Sequence, residues 1–397
     1  MLPLEGIKVL DLSRLLPGAF CSLMLADFGA EVIKIEDTEK GDYSRWVHPM
    51  LSDTMLEETI SAYFAVLNRN KKSIKLNLKT KQGTEVFLKL AESADIVLES
   101  FRPGVMDRLG IGYTKLRETN PRLIYCALTG YGQNGPYKNL PGHDINFLAI
   151  AGILGMQGIR DGPPILSGVQ IADIGGGTLM ALSGILLALM ARKKTGKGQF
   201  VDIAMLDGAI SWLAQHAGNY FGNHIEPQRS KMNLNGGYAC YNIYEAKDHK
   251  YLALGALEEK FWAEFCKAIN REDLIEKQYL EDEQLKIIEE LQAIFYQKTS
   301  AEWLQYLKSY DTCITSINTL GEALSDPQVI HRNMVTKIRD PHTGKEMYQL
   351  GNPIKLTETP ATLRSAPPRY GEHTVEILTS LGYTENEIQK MLQEGVC

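Results

Sequence analysis

The chain has 397 residues, which is longer than the size at which a single hydrophobic core usually stops growing, so we expect two domains. Its net charge of -6 at pH 7 excludes a general attraction to nucleic acid or acidic membranes, so an anionic ligand must be held by local basic residues. Apolar residues at 44% and charged residues at 23% are typical of a soluble globular protein.

The cysteines and the apolar runs give expectations about location. Six scattered cysteines, without a C-x-x-C pair or a partnered histidine spacing, are typical of a reduced cytoplasmic protein without a zinc site. The N-terminus lacks the basic start of a signal peptide. The apolar run at 184–190 ends at basic residues in 192–194, so we expect no membrane-spanning segment.

The first half of the chain alternates between predicted strands and helices. Strands are predicted at 7–12, 31–36, 73–78, 95–99, 123–128 and 199–204. Helices are predicted at 19–28, 80–94 and 176–193. The polar stretch before the third strand is expected at the surface. Strands alternating with helices of this length indicate an α/β fold with a Rossmann-like, doubly wound parallel sheet.

A polar segment at 223–235 marks the predicted boundary of a second domain. A hairpin at 241–255 and the charged helices that follow it indicate a smaller α+β domain. We therefore predict a large domain built from 1–222 and 329–397, with the small domain and its linkers at 223–328.

Ligands of doubly wound sheets bind outside the carboxyl ends of the strands, so residues at these ends are candidate binding residues. They are Arg14, Leu76, Lys79, Ser100, Arg102 and Arg108. Arg102, Arg108 and Lys79, with Lys71 and Lys72, would form a phosphate-binding rim if they converge. The alternative for each is an ordinary solvated side chain.

The segment 130–135 matches the pattern G-x-G-x-x-G and follows a predicted strand, as in dinucleotide-binding folds. That fingerprint requires a long helix directly afterwards. Here Pro136 and Pro141 follow instead, so we predict a loop and no nicotinamide site.

The segment 142–178 carries the candidate catalytic pair, with His143 near its start and Asp173 near its end. An imidazole titrates near neutral pH, and a carboxyl group does so when an apolar or crowded setting raises its pKa. Backbone N–H groups near Gly175 and Gly176, at an expected helix start, would meet an oxygen that gains charge. Together these residues indicate removal of a proton next to a carbonyl group.

Each of these acidic and basic residues also has a structural alternative. Asp144 and Asp173 both fit helix N-caps, a common reason for aspartate at such places. For Asp144, directly before an apolar run, we prefer the capping role, and we keep it as a candidate substrate contact. His143 before the same run also fits a structural histidine.

Ordered matches along nearly the whole chain resemble the family III coenzyme A transferases. The matching segments are 4–11, 27–36, 70–74, 100–110, 130–133, 195–199 and 367–374. Within that superfamily the sequence G-H-D-I-N at 142–146 and the short loop at 234–241 resemble the α-methylacyl-CoA racemases. The resemblance implies an acyl-CoA thioester as substrate, with no cofactor beyond the coenzyme A that the substrate carries, and no metal.

The resemblance also implies roles for single residues. His143 would be one base of a racemase, and Asp173 would be the second base or, in a transferase, the nucleophile that forms an acyl anhydride. Glu258 would orient the histidine, and its alternative role is to stabilise a helix dipole from the first turn. Asp37 stands where relatives often have an arginine that grips the nucleotide end, and Lys40 is the candidate substitute.

Relatives of this type have two subunits that thread through each other, so the resemblance implies an interlocked homodimer with the partner subunit's Glu258 at each active site. The leading hypothesis is epimerisation of 2-methylacyl-CoA thioesters through an enolate, a reaction of lipid metabolism. The main alternative is transfer of coenzyme A between carboxylic acids, with Asp173 as nucleophile. A non-enzymatic acyl-CoA-binding protein is the third hypothesis.

Overall fold

The computed structural model describes residues 1–51 and 60–397. The strands are β1 (Lys8–Asp11), β2 (Glu31–Glu36), β3 (Lys71–Lys75), β4 (Ile96–Glu99), β5 (Ile124–Thr129), β6 (Phe200–Ala204), β7 (Tyr241–Glu245), β8 (Tyr251–Gly255), β9 (Ile314–Ser316), β10 (Val335–Arg339) and β11 (Glu346–Leu350).

The described α-helices alternate with the first six strands and then dominate the rest of the chain. They are α1 (Leu15–Asp27), α2 (Ala62–Leu67), α3 (Lys81–Glu92), α4 (Val105–Arg108), α5 (Tyr113–Thr119), α6 (Asp144–Ile150), α7 (Ile153–Met156), α8 (Leu179–Thr195), α9 (Met205–Ser211), α10 (Ala214–Asn223), α11 (Glu259–Ala268), α12 (Gln284–Phe295), α13 (Ser300–Leu307), α14 (Leu320–Leu324), α15 (Pro327–His331), α16 (Thr374–Ser380) and α17 (Glu385–Gln393). Residues Ala172–Thr178 form a π-helical segment that runs directly into α8.

The strands β1 to β6 form one parallel sheet in the order β3-β2-β1-β4-β5-β6. This order reverses between β1 and β4, and doubly wound sheets bind ligands in the crevice at that point. The sheet is buried on both faces, since Val9 and Leu10 are adjacent in β1, fully buried, and belong to different apolar clusters. The predicted Rossmann-like parallel sheet is confirmed.

The chain divides into two compact units. The first comprises 1–151, 168–213 and 328–397, and the second comprises 152–167 and 214–327. The first unit contains the parallel sheet, and the second contains the antiparallel sheet β7-β8-β9 with its own aromatic core. The smaller α+β part of the predicted fold class is therefore confirmed. The predicted domain bounds place 152–167 and 214–222 in the large domain, whereas the structure groups them with the second unit.

The π-helical segment packs against α9 at a backbone crossing that requires glycine on both sides. A Cβ atom added to Gly208 would lie 2.4 Å from Cα of Gly176, and one added to Gly176 would lie 2.5 Å from the carbonyl oxygen of Met205. No side chain fits at such distances. The adjacent Gly175 lies equally close to the indole ring of Trp212, at 2.4 Å from an added Cβ. These glycines therefore set the spacing between the two helices.

The start of this helix differs from the prediction. The sequence predicts a start at Gly176, but the helical segment begins at Ala172. The N–H groups that lack a partner within the helix therefore belong to residues before the glycines. The continuous helix Ala172–Thr195 is also long and apolar enough to cross a membrane by length and composition, whereas the sequence predicts no such segment. Half of its apolar window is buried within the chain.

The polar stretch before β3 is only partly a surface segment. Its described end forms α2, in which Phe64 and Ala65 are fully buried and pack with Met347. Residues 52–59 of the same stretch lie outside the described part of the chain. The prediction of a surface location is wrong for α2, because its apolar side faces a small separate core.

Replacing Gly208 by alanine is expected to lower the free energy of unfolding by about 1–3 kcal/mol, because the new methyl group overpacks the crossing with Gly176. Thermal unfolding followed by circular dichroism measures the change. Gly321→Ala is the matched control, since this helical glycine has no atom within 4 Å of an added Cβ, and alanine there should stabilise the helix slightly. An unchanged melting temperature for Gly208→Ala would contradict the assigned role of the crossing.

Candidate active site

A pocket of about 670 Å³ opens beyond the carboxyl ends of β1, β4 and β5, where the strand order reverses. Its volume falls in the range of sites for small molecules and cofactors. The pocket brings together five of the predicted site residues, which are Arg14, Ser100, Arg102, His143 and Asp173.

His143 is the N-cap residue of α6 and is exposed on the pocket wall. Its backbone N–H group donates to Oδ1 of Asn146 at 3.0 Å, so the first turn of the helix fixes the backbone that carries the imidazole. Phe147 anchors this turn, since it is 2% exposed and its ring meets that of Tyr131 edge to face at 5.1 Å. The histidine therefore stands on a fixed helix start.

Asp173 is fixed by its neighbour in space, Asp144. Oδ1 of Asp144 accepts from the backbone N–H groups of Ala172 at 2.7 Å and Asp173 at 3.0 Å. The prediction that Asp144 caps its own helix is wrong, because its carboxylate satisfies donors at the start of another helix. The predicted N-cap role of Asp173 is also wrong, because Asp173 lies within the first turn. His143 is thus one candidate base, and its neighbour Asp144 holds the backbone of the other, Asp173.

The carboxyl group of Asp173 titrates close to neutral pH. Burial, and after it the charge of Asp144, raise the pKa of Asp173 from 3.8 to about 6, while His143 lowers it. A carboxyl group with such a pKa can both accept and donate a proton under physiological conditions. The effect of His143 places the imidazole within electrostatic reach of the carboxyl group.

The glycines after Asp173 do not offer the predicted N–H donors. Gly175 and Gly176 are buried inside the helical segment, beneath Trp212 and α9. The donors at the helix start belong to earlier residues and are already bound to Asp144. The predicted substrate contacts of Gly175 and Gly176 are therefore wrong, and both residues serve helix packing.

The turn after β1 forms another wall of the pocket in a strained conformation. Leu15 has φ of 60°, which is unusual for a bulky residue. Its N–H group donates to Oδ1 of Asp42 at 3.1 Å, and Oδ2 of Asp42 pairs with Nζ of Lys34 at 2.7 Å. Lys34 also donates to the carbonyl oxygen of Ser13 at 2.9 Å. Although burial opposes it, Lys34 lowers the pKa of Asp42 to about 2.

Two predicted binding residues are buried in the core. Leu76 is 1% exposed within an apolar cluster, and Lys71 is 2% exposed. Nζ of Lys71 donates to the carbonyl oxygen of Ala19 and to Oδ1 of Asn68, each at 2.8 Å. Burial lowers the pKa of Lys71 to about 7. Neither residue reaches a ligand at the surface, so these two predictions are wrong.

The other predicted cations spread over the surface. Lys72 pairs with Glu376 at 2.8 Å, while Lys79 and Arg108 are exposed and do not line the pocket. Of the predicted phosphate rim, Arg102 alone lines the pocket among the described residues. The rim therefore does not form as predicted, because Lys71 is buried, Lys72 pairs with Glu376, and Lys79 and Arg108 lie outside the pocket.

Glu258 belongs to the second unit, where it is exposed at the N-cap position of α11. Its backbone carbonyl group accepts from the N–H groups of Phe261 at 3.0 Å and Trp262 at 3.1 Å. The orienting role of its side chain towards His143 stays a prediction.

Tyr63 is a pocket residue that the sequence reasoning missed. It lies on α2, and its pKa is raised to about 12 by burial and by the charges of Asp173 and Asp42. A local signal was present, because Ser61 before an apolar run is a typical N-cap, and its hydroxyl accepts from the N–H group of Tyr63. Lys138, in the loop before α6, is the second missed residue of the pocket.

Comparison with known proteins identifies the family. The model of CoA-transferase family III matches residues 4–374. The chain belongs to CoA-transferase family III. The resemblance stated from the sequence motifs is thereby confirmed.

Individual relatives of this family carry out two kinds of reaction. The chain is 34% identical over 404 residues to the succinyl-CoA:glutarate CoA-transferase of Mus musculus, covering 100% of this chain and 90% of the relative. It is 34% identical over 403 residues to the α-methylacyl-CoA racemase of Mus musculus, covering 99% and 97%. The solved structure of a CaiB/BaiF family protein from Brucella suis matches with a TM-score of 0.82 and 32% identity, covering 96% of this chain and 99% of that chain.

Replacing Asp173 by asparagine is expected to raise the melting temperature at pH 7 and to change it less near pH 4. The raised pKa means that Asp173 favours folding below pH 3.8 and that this contribution is lost as the pH rises through about 6. The neutral amide avoids that loss. Differential scanning calorimetry across this pH range measures the difference, with the exposed Asp282→Asn as control. If the difference in melting temperature between the wild type and Asp173→Asn did not vary with pH, the raised pKa would be ruled out.

Proposed function

We propose that the chain is a racemase of 2-methylacyl-CoA thioesters that inverts the α-carbon by removing one proton and returning another to the opposite face. The observation that carries this proposal is the placement of His143 and Asp173 in one pocket, with the pKa of Asp173 at about 6. Similarity to a racemase along almost the whole chain supports it.

The reaction needs two groups that exchange roles. The thioester carbonyl acidifies the α-hydrogen, and one base, His143 or Asp173, takes this proton while the bonding electrons move to the carbonyl oxygen as an enolate. The other group starts protonated and returns a proton to the opposite face. The α-carbon is inverted, and the two groups end with their protonation states exchanged. A pKa near neutrality allows Asp173 to act in either direction.

The remaining pocket residues suit the rest of an acyl-CoA. Arg102 and Lys138 are exposed cations on the pocket wall and would hold the phosphates of the coenzyme. Leu15, Leu16 and Leu128 offer apolar contacts for the methyl branch.

Transfer of coenzyme A between two carboxylic acids is the second candidate. It is favoured by the similarity to a CoA-transferase and by the half-buried carboxylate of Asp173 in the same pocket. In that reaction Asp173 attacks the thioester carbonyl, the thiolate of coenzyme A leaves, and an acyl anhydride forms on the carboxylate.

The wild-type protein in heavy water is expected to place deuterium at the α-carbon of a 2-methylacyl-CoA without any second acid. His143→Ala and Asp173→Asn should each lower the exchange rate by about 100-fold or more, because each removes one of the two proton-transfer groups. Proton NMR measures the exchange. His331→Ala, an exposed histidine outside the pocket, should leave the rate unchanged.

Transfer that depends on an acceptor acid, with no α-exchange and with an acyl adduct on Asp173 trapped by hydroxylamine, is the contrary outcome. It would replace the racemase proposal by the transferase reaction.

We also infer that the chain acts as an interlocked homodimer. The first unit exposes large apolar side chains, with Leu187 at 70%, Met190 at 56% and Trp212 at 53%. Exposed apolar faces of this kind mark interaction sites, and a second copy of the chain is the simplest cover. In this arrangement the partner subunit's Glu258 would orient His143.

Sedimentation of the protein is expected to give the mass of two 44.3-kDa chains. Leu187→Asp should weaken the dimer, because it places a charge on the apolar face, and α-exchange should fall in parallel at low protein concentration. A monomer with full exchange activity would refute the dimer and the role of the partner subunit's Glu258.

A further inference from the structure

Arg14 has a fixed orientation in the pocket wall. Its Nη2 pairs with Oδ2 of Asp37 at 2.8 Å, and its Nη1 donates to the hydroxyl group of Tyr43 at 2.9 Å. The guanidinium lies 5.0 Å from the ring centroid of Tyr43 and 5.7 Å from that of Phe101. Because it is held at two nitrogens and lies within about 6 Å of two aromatic ring centroids, its orientation is fixed.

Asp37 fixes the position of Arg14, and it neutralises the charge of the guanidinium only in part. Oδ1 of Asp37 accepts from the N–H groups of Glu39 at 2.9 Å, Lys40 at 2.9 Å and Gly41 at 3.1 Å. Although burial opposes it, these bonds and Arg14 lower the pKa of Asp37. The carboxylate therefore shares its charge among four partners, and the guanidinium keeps the capacity to bind a further anion. Asp37 thus has a structural role in this chain, since it holds Arg14 and the turn at 39–41.

The backbone next to Arg14 is bound to a residue that lies near the pocket residue Tyr63. The next residue, Leu15, donates its N–H group to Asp42. The carboxylates of Asp42 and Asp173 both act on the phenol of Tyr63, so this phenol lies within electrostatic reach of both. Arg14, Tyr63 and Asp173 all line the same pocket.

We propose that Arg14 binds a second carboxylate at the far end of the acyl group, so that the preferred substrates are CoA thioesters of 2-methyl dicarboxylic acids. This assignment rests on the proposed function, because His143 and Asp173 mark the position of the α-carbon. A guanidinium has five N–H groups, and Arg14 uses two of them on Asp37 and Tyr43. The others can form the paired N–H···O bonds that a carboxylate accepts from arginine.

A phosphate of the coenzyme is the other anion that such a guanidinium could bind. The pocket holds two exposed cations, Arg102 and Lys138, whose long side chains adapt to a flexible diphosphate. Arg14 differs from them because its orientation is fixed, and a fixed planar group suits one planar carboxylate. We therefore assign the phosphates to the adaptable pair and the acyl carboxylate to Arg14.

The test uses two thioesters of equal chain length, 2-methylglutaryl-1-CoA and 2-methylpentanoyl-CoA, which differ by a terminal carboxylate in place of a methyl group. The wild-type protein should exchange the α-proton of the first with a kcat/KM about tenfold higher or more. Arg14→Gln should lower that value by about 10- to 100-fold and leave the second substrate within about twofold. Arg14→Lys should restore part of the loss, and the exposed Arg117→Gln, outside the pocket, should change neither value.

Calorimetric Kd values for the same thioesters and variants should show the same ratios. Because this measurement needs no turnover, it tests Arg14 even if the protein shows no α-exchange and the proposed reaction fails. The proposal would be overturned if Arg14→Gln weakened the binding of both thioesters equally. The two thioesters are then replaced by the corresponding acyl-pantetheines, which lack the nucleotide part of the coenzyme. If Arg14→Gln no longer weakens their binding, Arg14 binds a coenzyme phosphate. If it still weakens the binding of both equally, Arg14 only supports the pocket wall. The proposal would also be overturned if the wild-type protein did not prefer 2-methylglutaryl-1-CoA to 2-methylpentanoyl-CoA.

Discussion

The buried ion pair of Lys34 and Asp42 is the constraint on which the pocket depends. Their side chains are 0% and 1% exposed, and each also binds the backbone of the turn after β1, at Ser13 and Leu15. Removing one partner would leave an unpaired buried charge, which typically costs about 3–5 kcal/mol. The pair thus enforces a backbone conformation at Leu15 that the local sequence does not favour, and the position of Arg14 follows from it.

Elements with a strong local pattern could be predicted from the sequence. The predicted strand at 31–36 coincides with β2, and the predicted hairpin at 241–255 is formed by β7 and β8. Apolar alternation and turn residues are local properties, so they remain readable without the tertiary structure. The regular alternation of strands and helices was also sufficient for the parallel sheet. The loop after 130–135 was predictable for the same reason, since proline excludes a helix locally.

Features that depend on partners distant in sequence could not be predicted. Lys71 has the sequence context of a surface cation, yet its amino group is buried and donates to the carbonyl oxygen of Ala19 in α1 and to the amide oxygen of Asn68, directly after α2. The helix that carries Asp173 starts early because Asp144 caps it from another helix, which no local pattern reveals. Likewise, three glycines in sequence suggested free N–H groups, whereas Gly176 is needed for the close approach of Gly208. Sequence reasoning identified the residue types of the pocket better than their individual roles.

The bridge from Asp144 to the start of the helix that carries Asp173 has a mechanical consequence. His143 and Asp144 are adjacent at the start of α6, and Asp144 binds the start of the helix that carries Asp173. A displacement of α6 is therefore transmitted to that helix start. The two hydrogen bonds to Asp144 thus couple the backbone position of Asp173 to that of the start of α6. In the proposed inversion, this bridge would tie the backbone of one base to the helix start that carries the other.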